Sequence, residues 1–289
     1  MSVTAEASVR AAVNEAEGRL AAAGVATPRV DAEWLLAGIL RIGRSRLGVQ
    51  LDAPLPADVA LAYAAAVRRR AAREPLQRIL GWEEFRGLRL RLTADVLVPR
   101  PETETLVEWA LALLPPPGAA RLRVADIGTG SGCIACTLVA ERDDVDVTAI
   151  DISPAAAAVA AGNARALGFR VGVAVSDLLQ ALRPASLDAL VANPPYIARS
   201  ETAGLAPEVT LHEPRPALDG GVSGRDVLDR LVDDAPRVLR AGGMIALETG
   251  GPAHVEALAA RLRQLGFTDV ACRVDLTGVV RFVAGRRAR

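Results

Sequence analysis

Two stretches carry residue types and spacings that could do chemistry. The first is Val191-Ala192-Asn193-Pro194-Pro195-Tyr196, an apolar run that reads as a buried strand ending in an Asn-Pro-Pro-Tyr turn. Two consecutive prolines cannot donate to a sheet ladder, and each fixes φ near about −65°, so the strand must end in a rigid extended turn. The Asn193 side chain and the Asn193 and Pro194 carbonyls then stand at a strand tip as acceptors for a planar NH2 group, with the Tyr196 ring beside it. An amide or exocyclic amine is a poor nucleophile because its lone pair is delocalised. Two acceptors on its two N–H groups turn that lone pair toward an electrophile, which is catalysis by positioning and local electrostatics. The competing reading of an isolated Asn-Pro-Pro-Tyr is a turn that closes a strand and does no chemistry.

The second stretch lies upstream, where Arg121-Leu-Arg-Val-Ala-Asp-Ile127 leads into Gly128-Thr129-Gly130-Ser131-Gly132 and the helical run Cys133–Glu141. A strand, a glycine-rich turn and a helix N-terminus let a ligand approach the backbone closely. The spacing is G-x-G-x-G, not the G-x-G-x-x-G of dinucleotide enzymes, so a nicotinamide cofactor is disfavoured. A second apolar strand, Val145–Ile150, ends at Asp151, whose carboxylate can accept both hydroxyls of a ribose. A third, Val171–Val175, ends at Ser176-Asp177-Leu178, placed to flank an adenine. Asp151 before Ser153-Pro154 also suits a helix cap. The ordered set of Asp126, three glycines, Asp151, Asp177 and Asn193-Pro-Pro-Tyr196 argues for a site.

These motifs together resemble the N5-glutamine methyltransferase family, most closely its branch acting on peptide chain release factors. Three further stretches share the resemblance: Arg73–Gly81 with Glu84-Phe85, Val96-Leu-Val-Pro-Arg-Pro-Glu-Thr-Glu104, and His212-Glu-Pro-Arg-Pro-Ala-Leu218. It extends over nearly the whole chain. It implies S-adenosylmethionine as cofactor, S-adenosylhomocysteine as product, and methylation of the N5 amide nitrogen of the glutamine in the Gly-Gly-Gln motif of class I release factors, which tunes translation termination. It further implies that residues 128–132 hold the methionine and ribose moieties, Asp151 the ribose hydroxyls, and Asp177 with Leu178 the adenine edge and face. Asn193 and Pro194 accept the substrate amide hydrogens, next to Pro195, and Tyr196 packs on the substrate side chain. Leu178 departs from the aromatic residue common at its position, which weakens adenine stacking. The closing pattern is matched at Gly278 and Arg281 but lacks a polar residue or two between Asp275 and Gly278.

The elements that must position these residues follow from periodicity. Residues 1–75 read as helices: Val9, Val13 and Leu20, then Ala32, Leu35, Leu36, Ile39 and Leu40, recur at helical spacing, and Thr27-Pro28 marks a helix start. A third helix, Pro56–Arg73, ends in Arg68-Arg69-Arg70, which reads as a solvated C-terminal face or, alternatively, a basic docking surface. From Gln77 to Val98 the pattern alternates, with Leu88, Leu90 and Leu92 on one face, as in a β-hairpin. Pro99–Glu104 opens a helix, with proline and acids in its first turn.

After the loop Leu114–Gly118, β and α elements alternate, which argues for a largely parallel sheet with helices on both faces. The expected elements at the end are helix Arg225–Arg240, strand Met244–Glu248, helix Pro252–Leu265, and strands Val270–Val274 and Val279–Ala284. The last two strands are too close for a crossover helix, so they pair antiparallel. The expected architecture is α/β: a small helical domain (1–75) for substrate recognition, a β-hairpin linker (76–98), and a seven-stranded Rossmann-like class I methyltransferase domain (99–289).

Composition bounds the alternatives. In 289 residues with 51% hydrophobic and 3% aromatic content, the core must be built from Leu, Val and Ala. Formal net charge is zero, and all 34 basic residues are arginine, so nothing marks a nucleic-acid binder. This weakens the reading as an adenine-N6 DNA methyltransferase, which needs a basic target-reading region. A sister enzyme acting on a ribosomal-protein glutamine, and a helical adaptor with a vestigial nucleotide fold, are the other rivals. Three cysteines and two histidines make no disulfide or zinc framework, so no metal is expected. Cys133-Ile-Ala-Cys136 has redox spacing but sits in a helix that packs on the sheet. With no apolar run of membrane length and no signal at Met1–Ala7, a cytoplasmic monomer is expected.

Overall fold

In the computed structural model, which describes residues 8–118 and 120–289, the chain divides into two units, one of residues up to Trp82 with Ala206–His212, the other of Glu83–Leu205 with Glu213–Arg289. The leader reading of Met1–Ala7 lies outside the described residues. No helix among the described residues is long and apolar enough to cross a membrane.

The first unit is helical: α1 (Val9–Ala22), α2 (Pro28–Leu40), α3 (Arg44–Leu47), α4 (Ala57–Ala71) and α5 (Leu76–Leu80). The Ser8 hydroxyl accepts from Ala11 N to cap α1, and Pro28 occupies the first turn of α2, where its missing N–H costs nothing. Val13, Leu20, Leu35, Leu36 and Val67 meet in one core, and the buried Tyr63 hydroxyl donates to Ala32 O at 2.9 Å. The short α3 falls within the stretch expected to be helical, whereas α5 departs from the expectation: it occupies part of the stretch expected to alternate, between Pro75 at its start and Gly81 at its end, where φ is +79°.

The Arg68–Arg70 triplet is not one solvated face. Arg70 is buried, donating to Asp31 Oδ2 at 2.6 Å and to Glu208 Oε1 at 3.0 Å, while Arg69 pairs with Glu74. Helical geometry turns position 70 inward with Val67 and Ala66, where the Asp31 and Glu208 carboxylates meet its guanidinium. Glu208 lies on α9 (Pro207–His212), which belongs to this unit, and also accepts from Arg73 at 2.7 Å.

At the junction, β1 (Trp82–Phe85) and β2 (Leu88–Arg91) pair across Arg86-Gly87, both with positive φ, as a two-residue hairpin turn requires. Leu88 and Leu90 face the main core of the second unit together with Phe85. Asn163 fastens β2 in place by accepting from Arg91 N and donating to Arg91 O.

The second unit is built on a seven-stranded sheet of β3 (Leu122–Ile127), β4 (Val145–Asp151), β5 (Val171–Val175), β6 (Leu187–Ala192), β7 (Leu239–Glu248), β8 (Phe267–Val274) and β9 (Val280–Arg287), in spatial order β5-β4-β3-β6-β7-β9-β8. The first five strands run parallel, and β9 is antiparallel to both β7 and β8. Side-chain alternation divides the core. Val124, Ala189, Val191 and Ala246 face α6 (Pro101–Leu113) and α7 (Cys133–Glu141). Ala125, Ile127, Leu190 and Leu247 face α10 (Asp226–Val238) and α11 (Pro252–Gln264). β7 begins at Leu239, so the expected helix end at Arg240 is two residues too long. Leu239 is extended, at φ −74° and ψ 143°, and pairs with Leu187 while its N–H still caps α10 at Ala235 O.

Candidate active site

The connections leave β3 toward β4 and β5 on one side and β6 toward β7 on the other, so the order in which parallel strands are added reverses between β3 and β6. Ligand crevices form outside the carboxyl ends of strands at such a reversal. A cavity of about 450 Å³ lies there, within the range that holds a small ligand. Its wall takes Gly128 and Gly130 from the turn after β3, Asp151 from β4, Asp177 and Leu178 after β5, and Asn193, Pro194 and Pro195 after β6. Residues 94–97, Pro214, Pro216, Ala217, Asp219 and Arg230 also line it. A second, more open groove of about 660 Å³ runs over Val147, Phe169 and Val171 at the sheet margin, and none of the strand-end acceptors lines it.

Backbone hydrogen bonds hold the glycine turn against β4. Gly128 N and Thr129 N donate to Ile150 O at 2.8 and 3.0 Å, and Gly130 N donates to Asp151 Oδ2 at 2.9 Å. Asp151 Oδ1 accepts from Ser153 N at 2.9 Å. The Asp151 carboxylate is thereby fixed by one N–H on each oxygen, leaving lone pairs for a ligand. Gly128 has φ +73°, and its α-carbon faces the Asn193-Pro194 backbone so closely that an added Cβ would already be in contact.

Thr129, Ser131 and Gly132 take supporting places outside the cavity lining. The Thr129 hydroxyl donates to Asp126 Oδ2 at 2.6 Å, Ser131 O accepts from Asn163 Nδ2, and Gly132 packs on Ala160. Asp126 also lies behind the turn. Its side chain is fully buried, Oδ2 accepts from Thr129 and Ala135 N, and Oδ1 has no partner. Burial pushes its carboxyl up to about 7 against those hydrogen bonds. Asp177 Oδ2 accepts from Arg230 Nη2 at 2.6 Å, a partner in the cavity wall that the sequence reading missed.

Asn193 begins a chain of side-chain hydrogen bonds that was also missed. Asn193 Nδ2 donates to Thr103 Oγ1 at 2.9 Å, and Thr103 Oγ1 donates to Glu248 Oε2 at 2.8 Å. Tyr196, which is not in the cavity lining, donates from its hydroxyl to Glu248 Oε1 at 3.3 Å. Glu248 is the last residue of β7 and buried, and desolvation raises its carboxyl to about 7. Its signal was available, since an acid at a strand's carboxyl end is what marked Asp151. Behind the turn, an added Cβ on Gly220 would lie 2.6 Å from Gly224 O and 2.7 Å from Tyr196 Cα.

Other reactive groups stand apart. Burial pushes the Cys133 and Cys136 thiols up to about 12, which leaves them protonated and inert near neutrality. His254 Nδ1 accepts from Gly250 N at 3.3 Å, and burial lowers its pKa. His212 Nε2 lies 3.3 Å from Ala72 O in the first unit.

A seven-stranded sheet with this order, an antiparallel β9 and a glycine turn after β3 beside acidic strand ends defines a class I methyltransferase domain. Solved structures agree in fold. A methyltransferase from Pyrococcus furiosus superposes with a TM-score of 0.52 at 18% identity, covering 71% of this chain and 91% of that one. The Thermus thermophilus 16S rRNA N2 G1207 methyltransferase, solved with AdoMet and guanosine, gives a TM-score of 0.53 at 19% identity over 71% of this chain and 49% of its own. Family models match residues 11–81 as a PrmC N-terminal domain and residues 109–221 as a methyltransferase small domain. A release factor glutamine methyltransferase of Cereibacter sphaeroides is 46% identical over 277 residues, covering 95% of this chain and 97% of its own, and one of Mycolicibacterium smegmatis is 42% identical over 282 residues, covering 96% and 98%. The chain belongs to the release factor glutamine methyltransferase family.

Proposed function

We propose that this protein transfers a methyl group from S-adenosylmethionine to the N5 side-chain nitrogen of the glutamine in the Gly-Gly-Gln motif of class I release factors. The observation that carries the reading is Asn193, set in the cavity wall on a rigid Pro-Pro turn with its NH2 group engaged by Thr103. Its Oδ1 accepts no hydrogen bond among the described residues and is left to a substrate.

The residues present fit the cofactor. Asp95, Asp151, Asp177 and Asp219 outnumber Arg230 in the lining, which suits a cationic ligand. When bound, S-adenosylmethionine supplies an electrophilic methyl on a sulfonium sulfur that departs as a neutral thioether. Gly128 and Gly130 admit close approach of its methionine end, Asp151 accepts from the ribose hydroxyls, and Asp177 with Leu178 meets the adenine. Asn193 Oδ1 and the Pro194 carbonyl accept the two amide hydrogens of the substrate glutamine. The amide lone pair then points along the transfer direction; the new N–C bond forms as the methyl–sulfur bond breaks, and the methylated nitrogen, now acidic, loses one N–H proton to water, so no strong base is required beforehand.

Asn193→Ala is expected to lower the single-turnover methylation rate by roughly 10²–10³, the range for removing one preorganised polar group from a reacting centre, while S-adenosylmethionine affinity stays within a few fold. Near-normal turnover by N193A removes the orienting role.

A further inference from the structure

We infer that Thr103 and Glu248 are positioning residues for the methyl transfer, fixing the Asn193 amide so that its nitrogen faces the protein and its oxygen faces the substrate. This rests on the reading of Asn193 given above.

The direction of each hydrogen bond follows from proton counting. A threonine hydroxyl has one proton, and Thr103 gives it to Glu248 Oε2 at 2.8 Å, where an ionised carboxylate can only accept. Thr103 Oγ1 can then only accept from Asn193, so the Asn193 atom at 2.9 Å must be the nitrogen. Because the amide is planar, Oδ1 is turned the other way. The far oxygen of the same carboxylate takes the Tyr196 hydroxyl, so both polar ends of the Asn-Pro-Pro-Tyr turn are referred to Glu248. Thr103 stands in the first turn of α6, buried, with no cavity contact of its own. Its hydroxyl and the buried Glu248 carboxylate are satisfied by each other and by the Asn193 and Tyr196 side chains, which makes them one connected network beneath the turn.

The network depends on Glu248 being ionised. A protonated Glu248 with its O–H turned toward Thr103 redirects the threonine proton to Asn193, and only an amide presenting Oδ1 to Thr103 can accept it. The NH2 group would then face the substrate amide, offering donors where acceptors are needed. The charged and titratable groups around Glu248 are Glu102 beside Thr103 on α6, Tyr196 on the turn, and Arg281 on β9, itself paired with Asp275 at 2.8 Å. Burial and Glu102 favour the protonated form, whereas the two hydroxyl donors and Arg281 favour the ionised form.

The test compares T103V, T103S and E248Q with the wild type, using S-adenosylmethionine and an intact release factor. T103V, isosteric but without the hydroxyl, is expected to lose about 10- to 100-fold in kcat, the scale of a slightly misplaced reacting group, with KM for the cofactor within about twofold. T103S, which keeps the hydroxyl, recovers most of that loss. Wild-type kcat falls as pH drops below about 7, and in E248Q, which has no proton to gain, this acid limb is absent. Unchanged kcat in folded T103V, or an acid limb that persists in E248Q, overturns the inference. If T103V does not fold, the E248Q profile decides alone. N193A separates the two claims: a normal rate in N193A removes the Asn193 reading itself, whereas a slow N193A beside a normal T103V removes only the role of Thr103 and Glu248.

Discussion

At the scale of single residues, each strand-end acid has its own task, set by what surrounds it. Asp151 stands at the cavity with one backbone N–H on each carboxylate oxygen, whereas Asp126, one turn away, is sealed behind the glycine loop with Oδ1 unpaired. Its folded pKa of about 7 lies above the ordinary 3.8, so the folded state holds a proton the unfolded chain has released. The stability this group contributes is fully present below pH 3.8 and is lost as pH rises through about 7. Asp126→Asn keeps an oxygen for Thr129 and Ala135 without the buried charge. It should therefore be more stable than the wild type at pH 8 by roughly 1–3 kcal/mol, with the difference shrinking toward pH 5. Urea unfolding at both pH values checks this, and a pH-independent difference contradicts it. Asn193 and Asp151 were legible in the sequence because a special residue at the end of an apolar strand is a local pattern. Glu248 carried the same strand-end signal as Asp151, but Thr103 was not legible, because the hydrogen bond that gives it meaning joins positions 145 apart.

At the scale of elements, the parallel strands, the glycine turn and the antiparallel closure were readable from period and punctuation, since short buried strands are bounded sharply by Asp, Gly and Pro. The misplacements have physical causes. α5 was hidden because five residues are too few to show a helical period, although Pro75 and Gly81 bracket it. The start of β7 was hidden because Leu239 serves helix and strand at once. The Asp219–Gly224 loop supports the Asn-Pro-Pro-Tyr turn from behind. Gly220→Ala would bring a methyl to within 2.7 Å of Tyr196 Cα, where no flexible side chain can yield. The turn must then shift, and we expect a destabilisation of about 1–3 kcal/mol with a disproportionate fall in kcat. Thermal unfolding and single-turnover rates on the same preparation check this, and a stable G220A with normal kcat would sink the view that the turn's position is critical.

At the scale of the whole molecule, the cavity can select a planar amide but not one glutamine among many, so recognition of a protein substrate draws on contacts remote from the reacting atoms. We propose that the helical unit offers surface for this. On α4, Leu61 is 74% exposed and Arg68 lies on the same stripe two turns on, whereas Arg70 is committed to Asp31 and Glu208. That restricts the basic edge expected at Arg68–Arg70 to its outward members. The most direct test incubates the full chain and S-adenosylmethionine with an intact class I release factor, and separately with a free Gly-Gly-Gln peptide, followed by mass spectrometry of the products. The account predicts a single added methyl on the side-chain nitrogen of the Gly-Gly-Gln glutamine of the intact factor, and far slower modification of the peptide. Methyl transfer to another residue, or none to the factor while a different protein is modified, contradicts it.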